Sequence, residues 1–542
     1  MPGRKSEVNT MRSVLIFLVT VLFSPALCAA AFIPADDENI LYTGRWDDSN
    51  PIEPWAYAKG TSVIAEFSGT GLSASISATT TDYLRVIIDD DAVNSVKIPI
   101  SYGTASYTLE TGLTGPSHKV EIVKETDAGR WAFHGFELDD GAGLDSPPAR
   151  PARKLVFYGD SNLAGYSLEH EQNQADRSLR GTYYGYAGIT SRMFGAEYSN
   201  ISRSGATIRS LHASFDRIDW NSRGTTWDFS KFQPDAVVIN IGANDVGRPV
   251  AKMKKDYHAL LDDMRIAYPD AHIVLYNAWG WDYDEPANFI HEVIEERGDP
   301  NMSWAIFPWL FEQWHGCEYD HGGMAHVLAE HLQSELEWSP EPADVMSGYG
   351  VAGDVANGGF EEEAPFGGYG WRYYTDAGVE RRSDDTAHGG DYYLRLSSGA
   401  ASHQPNPALP GETVTVTAWY RTQESDDEVH VTIDFRDQEM WTAPLDSWSE
   451  TSGKPCVEIE GWCQLTMSAT APSGTANPVF HTRLTFQAGS GSTVDIDDVV
   501  MSADGGGGGG EICAEKGESC ISSNDCCAGS CSKGKPSTRI CL

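Results

Sequence analysis

The chain is 542 residues long, room for three or four domains at the roughly 100–200 residues typical of one. It carries 39 Lys and Arg against 78 Asp and Glu, a formal net charge of −39. That balance argues against nucleic acid and anionic membrane as partners, because both are held by clustered cations. It suits a soluble protein of salty or extracellular surroundings.

At the N-terminus Arg4, Lys5 and Arg12 precede an apolar run over residues 14–23. Ser24-Pro25 breaks the run, and Ala29-Ala30-Ala31 offers small residues for cleavage, so residues 1–31 read as a secretory signal. The run is shorter than the ~20 apolar residues that cross a bilayer. The expectation is a secreted, extracellular protein with no membrane attachment once the signal is removed. The ten cysteines, of which Cys28 belongs to the signal, fit an oxidising compartment.

Residues 32–146 read as strands. Runs such as 62–67, 83–88 and 119–123 alternate or are β-branched, Gly, Asp and Ser punctuate them, and no helical period appears. This predicts a β-sandwich. Ser146-Pro147-Pro148-Ala149-Arg150-Pro151 is a stiff linker. Over residues 152–338 short buried-type strands (154–158, 236–241, 272–276) alternate with helical stretches (184–194, 250–268), and a last helix covers 325–336. That alternation predicts an α/β unit with a parallel sheet covered on both faces. A second β-rich region, 351–503, follows the 340–350 loop and predicts a second β-sandwich. Residues 504–511 are a glycine linker, and 512–542 form a cysteine-rich tail.

Four segments of the α/β unit carry chemistry. Ser161 follows the first buried strand through Gly159-Asp160, at the carboxyl edge of a parallel sheet where ligands bind. Its hydroxyl is a candidate nucleophile and its N–H a candidate oxyanion donor. Gly205 offers a second N–H and Asn244, just past Gly242, a side-chain N–H. Such donors are typically worth ~3 kcal/mol each to a tetrahedral intermediate. His321 is a candidate base, with Glu318 three residues earlier to orient it. A lone Gly-Asp-Ser is ordinarily a turn and a lone Asn-Asp a cap. Their joint occurrence in this order points to serine ester chemistry. Asp320 competes for the role of acid and His326 for that of base. Trp279, Trp281 and Trp314 are candidates for stacking on a sugar ring or for plain packing.

In the second β-region Trp371, Tyr373, Tyr374, Trp419, Trp441 and Trp448 divide between core and a possible sugar-binding face. Glu361 and Asp497 are candidates for a structural Ca²⁺ or for a simple polar edge. Cys456 and Cys463 are expected to pair. The tail is too small for a hydrophobic core, and Cys513, Cys520, Cys526, Cys527, Cys531 and Cys541 suit three disulfides, with fifteen pairings open.

The order Gly-Asp-Ser, Gly, Gly-x-Asn-Asp, acid-x-x-His resembles the SGNH (GDSL-type) hydrolases. A β-sandwich just before that unit resembles the family-two carbohydrate esterases, and the likeness covers residues 39–336. The resemblance implies an N-terminal jelly roll and removal of acetyl groups from xylan or a related glycan through an acyl-enzyme. It implies Ser161 as nucleophile, Ser161, Gly205 and Asn244 as oxyanion hole, His321 as base, Glu318 as supporting acid, and no catalytic cofactor. The sequence departs from the pattern near the histidine, where Gly322 replaces the usual proline and Glu318 the usual aspartate. The 351–503 region resembles carbohydrate-binding modules. The tail resembles an inhibitor cystine knot, which implies first-to-fourth, second-to-fifth and third-to-sixth pairing. The expected protein is a monomer acting on an acetylated polysaccharide. An esterase of small or lipid esters and a non-catalytic glycan-binding protein are the other two readings.

Overall fold

A computed structural model describes residues 31–341 and 355–504, apart from 93, 171–173, 222–224, 246, 279–288, 308–314, 356, 362, 365–366, 369–370, 375–377, 404–405, 409–410, 425–426, 437–445, 453–460 and 474–479. The signal up to residue 30, Trp279, Trp281, Trp314, Trp441, Cys456, the glycine linker from residue 505 and the six tail cysteines lie outside the described residues. Among the described residues no helix is long and apolar enough to cross a membrane.

The N-terminal domain is two antiparallel sheets over one core. One runs in the order Trp46–Asp47, Trp55–Ala56, Trp131–Leu138, Leu72–Ala78, Gly103–Glu110, with Ala31–Pro34 also on Trp131–Leu138. The other runs Leu41–Thr43, Ser62–Phe67, His118–Lys124, Asp82–Ile88, Val96–Ile100. The period of two is visible in Leu72–Ala78, where Leu72, Ala74, Ile76 and Ala78 are buried and the serines between them face outward. Those side chains meet Val63, Ala65, Phe67, Trp131, Phe133 and Phe136 from both sheets.

The following domain holds a five-stranded parallel sheet in the order Glu197–Ser202, Lys154–Gly159, Ala236–Asn240, His272–Ala278, Met302–Phe307. Among the described residues five α-helices accompany it: α1 (Tyr186–Met193), α2 (Ile208–His212), α3 (Val250–Ala267), α4 (Ile290–Arg297) and α5 (Glu318–Leu336). Val156, Tyr158, Val237 and Ile239 pack with α2, α3 and α4 on one face. Leu155, Phe157, Val238 and Val274 pack with α1 and α5 on the other. Burial on both faces explains why the central strands are continuous apolar runs. The two edge strands escape that reading. Glu197–Ser202 is mostly polar, and Met302–Phe307 leaves Trp304 42% exposed. Helix α5 begins at Glu318, well before the start its apolar period suggests, because Cys317 and Asp320 form a capping box there.

Lys154–Gly159 lies between the second and third strands in chain order, so connections leave it in opposite directions. Its carboxyl end is therefore the topological switch point of the sheet.

Beyond residue 355, two further antiparallel sheets share a core that includes Val414, Val416, Ala418, Val431, Ile433, Leu484, Phe486 and Ile496.

Buried polar groups join the N-terminal domain to the parallel-sheet domain. The Arg45 guanidinium, with Arg45 1% exposed, donates to the Phe215 and Arg217 carbonyls at 2.6 and 2.9 Å and to the Tyr158 and Tyr268 hydroxyls. Lys59 Nζ donates to the Ser202 carbonyl at 2.7 Å. Glu125 accepts from the N–H groups of Thr182 and Tyr183 and pairs with Arg85. Replacing Arg45 by Ala would remove the guanidinium donors from the Phe215 and Arg217 carbonyls and leave a void between the domains. We expect a loss of ~2–5 kcal/mol, read as a fall in the urea midpoint. Arg45→Lys should restore only part, because an ammonium lacks the planar fork whose one nitrogen reaches the two carbonyls while the other reaches the tyrosine hydroxyls.

Candidate active site

Ser161 stands just past the switch point, 6% exposed, in a tight turn. The Asp160 carboxylate accepts from the Asn162 N–H at 3.0 Å, and the Ser161 carbonyl accepts from the Tyr166 N–H at 3.0 Å. Gly165 permits this loop. It sits at φ +63°, and a Cβ there would lie 1.5 Å from the Gly181 carbonyl oxygen. Burial, with Asp245 nearby, pushes the Asp160 carboxyl up to about 7.

The imidazole against Ser161 belongs to His315, whose Nε2 is 2.9 Å from Ser161 Oγ. It sits between the edge strand and α5, packed on the Tyr166 ring with centroids 4.5 Å apart. Burial, then His321 and Arg180, bring His315 down to about 4.

His321, the expected base, makes other contacts. His321 Nδ1 accepts from the Tyr186 N–H at 3.2 Å, and its Nε2 faces the His315 carbonyl oxygen at 3.2 Å. It lies in the first turn of α5, behind the loop that carries His315, and so braces the backbone of the residue that meets Ser161. Burial brings its pKa down to about 4. A neutral ring with Nε2–H donating satisfies both contacts. His326 lies further along α5 and is lowered in pKa by burial.

Glu318 is also displaced from its expected role. Its charged neighbours are Glu169, Arg85, Lys97 and Glu125, and desolvation with Glu169 raises its carboxyl to about 8. A carboxyl that is largely protonated at neutral pH does not supply the negative charge that steadies an imidazolium. Asp320 is engaged at the helix start, where Oδ2 accepts from the Cys317 N–H at 2.9 Å.

The two remaining donors lie on adjoining loops. Gly205 has φ +78°, and a Cβ there would meet nothing within 4 Å, so its backbone borders open space. Asn244 Nδ2 donates to the Ala206 carbonyl at 3.0 Å and reaches Asp160 Oδ2 at 3.4 Å. Asp245 completes the tie, accepting from the Ile208 N–H at 3.0 Å with Oδ2 and pairing with Arg248 through Oδ1. Contacts thus run from the Ser161 turn through Asp160 and Asn244 to the residue after Gly205. Asp245 was absent from the expected set. The Asn-Asp pair after the strand was the available signal.

Elsewhere, Glu361 and Asp497 converge on one turn of the C-terminal sheets. Glu361 Oε1 accepts from the N–H groups of Asp391 and Tyr392, and Asp497 Oδ2 from those of His388 and Gly389. Among the described residues no group of three or more His, Cys, Asp or Glu is placed to hold a metal ion. Cys463 is disulfide-bonded, and Cys317 is a thiol.

Residues 42–148 match the family described as carbohydrate esterase 2 N-terminal, and residues 157–310 match the GDSL-like lipase/acylhydrolase family. The chain is 30% identical over 330 residues to the cellulase/esterase CelE of Acetivibrio thermocellus, across 56% of this chain and 40% of that protein. It therefore spans well under half the length of CelE. It is 22% identical over 331 residues to an acetylxylan esterase / glucomannan deacetylase of Cellvibrio japonicus, across 56% of this chain and 91% of that one. Among solved structures it resembles a family two carbohydrate esterase from Clostridium thermocellum in complex with cellohexaose. That match has 29% identity and a TM-score of 0.52, covering 55% of this chain and 99% of the other.

Two outcomes follow for labelling of Ser161 by a serine-reactive phosphonate. His315→Ala should slow it by ~10²–10⁴-fold, the usual range for a lost general base, and His321→Ala by less. The base acts when neutral, so a lowered pKa keeps labelling fast as pH falls, until about pH 4. An acid limb near the ordinary histidine value would contradict the buried His315 site.

Proposed function

We propose that residues 42–310, which match the carbohydrate esterase 2 N-terminal and GDSL-like lipase/acylhydrolase families over 42–148 and 157–310, form an SGNH carbohydrate esterase of the family-two type, and that the chain is a secreted serine esterase that removes O-acetyl groups from xylan or a related glycan. The observation that carries the reading is the 2.9 Å contact between His315 Nε2 and Ser161 Oγ at the switch point of the sheet. A non-catalytic glycan-binding protein has no need of such a contact.

In the proposed reaction Ser161 Oγ attacks the acetyl carbonyl while His315 Nε2 takes the hydroxyl proton. The oxyanion is received by the N–H groups of Ser161 and Gly205 and by Asn244 Nδ2, which exchanges its long 3.4 Å contact with Asp160 for it. On collapse the imidazolium gives its proton to the departing sugar oxygen, leaving acetyl-Ser161. Water, activated by His315, then releases acetate. A base with a pKa of about 4 is a weak proton acceptor but, once protonated, a strong donor to the leaving sugar alkoxide. These residues supply nucleophile, base and oxyanion donors themselves.

A polysaccharide substrate is supported by the relatives, one of them named for acetylxylan and glucomannan and one solved with cellohexaose. The C-terminal pair of sheets, read as a carbohydrate-binding module, would hold the enzyme on an insoluble glycan and raise the local ester concentration without altering the barrier. Secretion rests on the N-terminal signal pattern.

The test is acetate release from acetylated xylan, acetylated glucomannan and a small aryl acetate in parallel. We expect turnover on at least one glycan, with Ser161→Ala inactive. Asn244→Ala should lower kcat by ~10²–10³-fold. Activity confined to the aryl acetate would remove the polysaccharide reading, and activity surviving in Ser161→Ala would remove the nucleophile.

A further inference from the structure

Asp127 belongs to the N-terminal domain, in the turn between strands His118–Lys124 and Trp131–Leu138. Both of its carboxylate oxygens nevertheless end on the parallel-sheet domain. Oδ1 accepts from Arg180 Nη1 at 3.0 Å, and Oδ2 accepts from the Ser204 N–H at 3.2 Å. The side chain is 8% exposed. Burial opposes its charge, but Lys59, the Ser204 N–H and Arg180 together hold the carboxyl well below the usual carboxylate range.

Each arm of this contact leads to the reacting atoms. Along the first, the Arg180 guanidinium lies over the Tyr166 ring at 4.2 Å, Tyr166 packs on His315, and His315 meets Ser161. The next residue, Gly181, donates its N–H to the Gly165 carbonyl at 3.1 Å on the Ser161 loop. Along the second arm, Ser204 directly precedes Gly205. No side chain of its own anchors Gly205, so the aim of its N–H depends on how the neighbouring peptides are held. Lys59 adds a second grip from the same domain, on the Ser202 carbonyl.

We propose that Asp127 is a positioning residue of the active site, a carboxylate supplied by the N-terminal domain that sets the Gly205 loop and the ring stack behind His315 at once. On this view the N-terminal domain is a structural part of the catalytic centre. The proposal rests on the esterase reading above. Asp127 touches no reacting atom in this account. It acts through the Ser204 peptide and Arg180, so its effect belongs to the transition state, where the aim of the donors matters, and not to ground-state binding.

The experiment uses the full chain with Asp127→Ala and Asp127→Asn, assayed on a soluble aryl acetate and by phosphonate labelling of Ser161. Rates are expressed per folded molecule from circular dichroism. We expect kcat of Asp127→Ala to fall ~10–100-fold with KM within about twofold, and labelling to slow by a similar factor. Asp127→Asn keeps one acceptor oxygen and should lose less. An unchanged kcat, a rise in KM alone, or a loss accounted for by unfolded protein would overturn the proposal. Should Asp127→Ala fail to fold, the same criteria apply to Asp127→Asn. A wild-type chain that hydrolyses no ester defeats the esterase reading. The labelling rates would then still report whether Asp127 tunes Ser161.

Discussion

Buried charge at the boundary between the first two domains is the constraint on which the rest depends. Arg45, Lys59, Glu125 and Asp127 all come from the N-terminal domain, and each reaches main-chain atoms of the parallel-sheet domain. A charge taken out of water is tolerable only with its hydrogen bonds complete. The two domains therefore have little freedom to slide or rotate, since any displacement strands several charged groups together. Such contacts contribute modestly to net stability but strongly to geometry, and the loops they hold are those that carry Gly205 and lead to Arg180.

The same scarcity of water sorts the titratable groups of the site. Desolvation lowers both His315 and His321 to about 4 and raises Asp160 to about 7 and Glu318 to about 8. All four shifts favour the neutral form, as burial without a full counter-charge requires. Asp127 shifts the other way because Lys59, Arg180 and a backbone N–H surround it. The centre is thus neutral imidazole and the half-neutral Asp160 carboxyl beside Ser161, with a fixed anion one layer out.

Glu318 and His321 share the first turn of α5, three residues apart, so they face similar directions. That turn abuts the network of Arg85, Glu125, Glu169 and Lys97 on one side and Tyr186 on the other. The acid–x–x–His spacing therefore describes a helix terminus packed between two domains. His315, a few residues earlier on a loop, is the one that reaches the mouth of the sheet.

Much of the α/β arrangement was legible in the chain. Apolar runs of strand length alternating with helical periods imply a parallel sheet, and a Gly-Asp-Ser directly after such a run places a serine at its carboxyl edge by backbone geometry alone. The polar edge strand Glu197–Ser202 was not legible, because its polar groups are buried among partners that only tertiary packing supplies, with Asn200 donating to the Leu163 carbonyl and Lys59 to the Ser202 carbonyl. The choice of histidine belonged to tertiary structure. His315 and His321 are both flanked by glycine, and nothing in their spacing distinguishes a loop imidazole from a helical one. The outcome turns on where α5 begins, on the Tyr166 ring that seats His315, and on the Tyr186 N–H that holds His321. Asp127 was hidden for a related reason. Its partners lie 53 and 77 residues away, and only the packing of one domain against the next brings a turn of the first to the catalytic loops of the second.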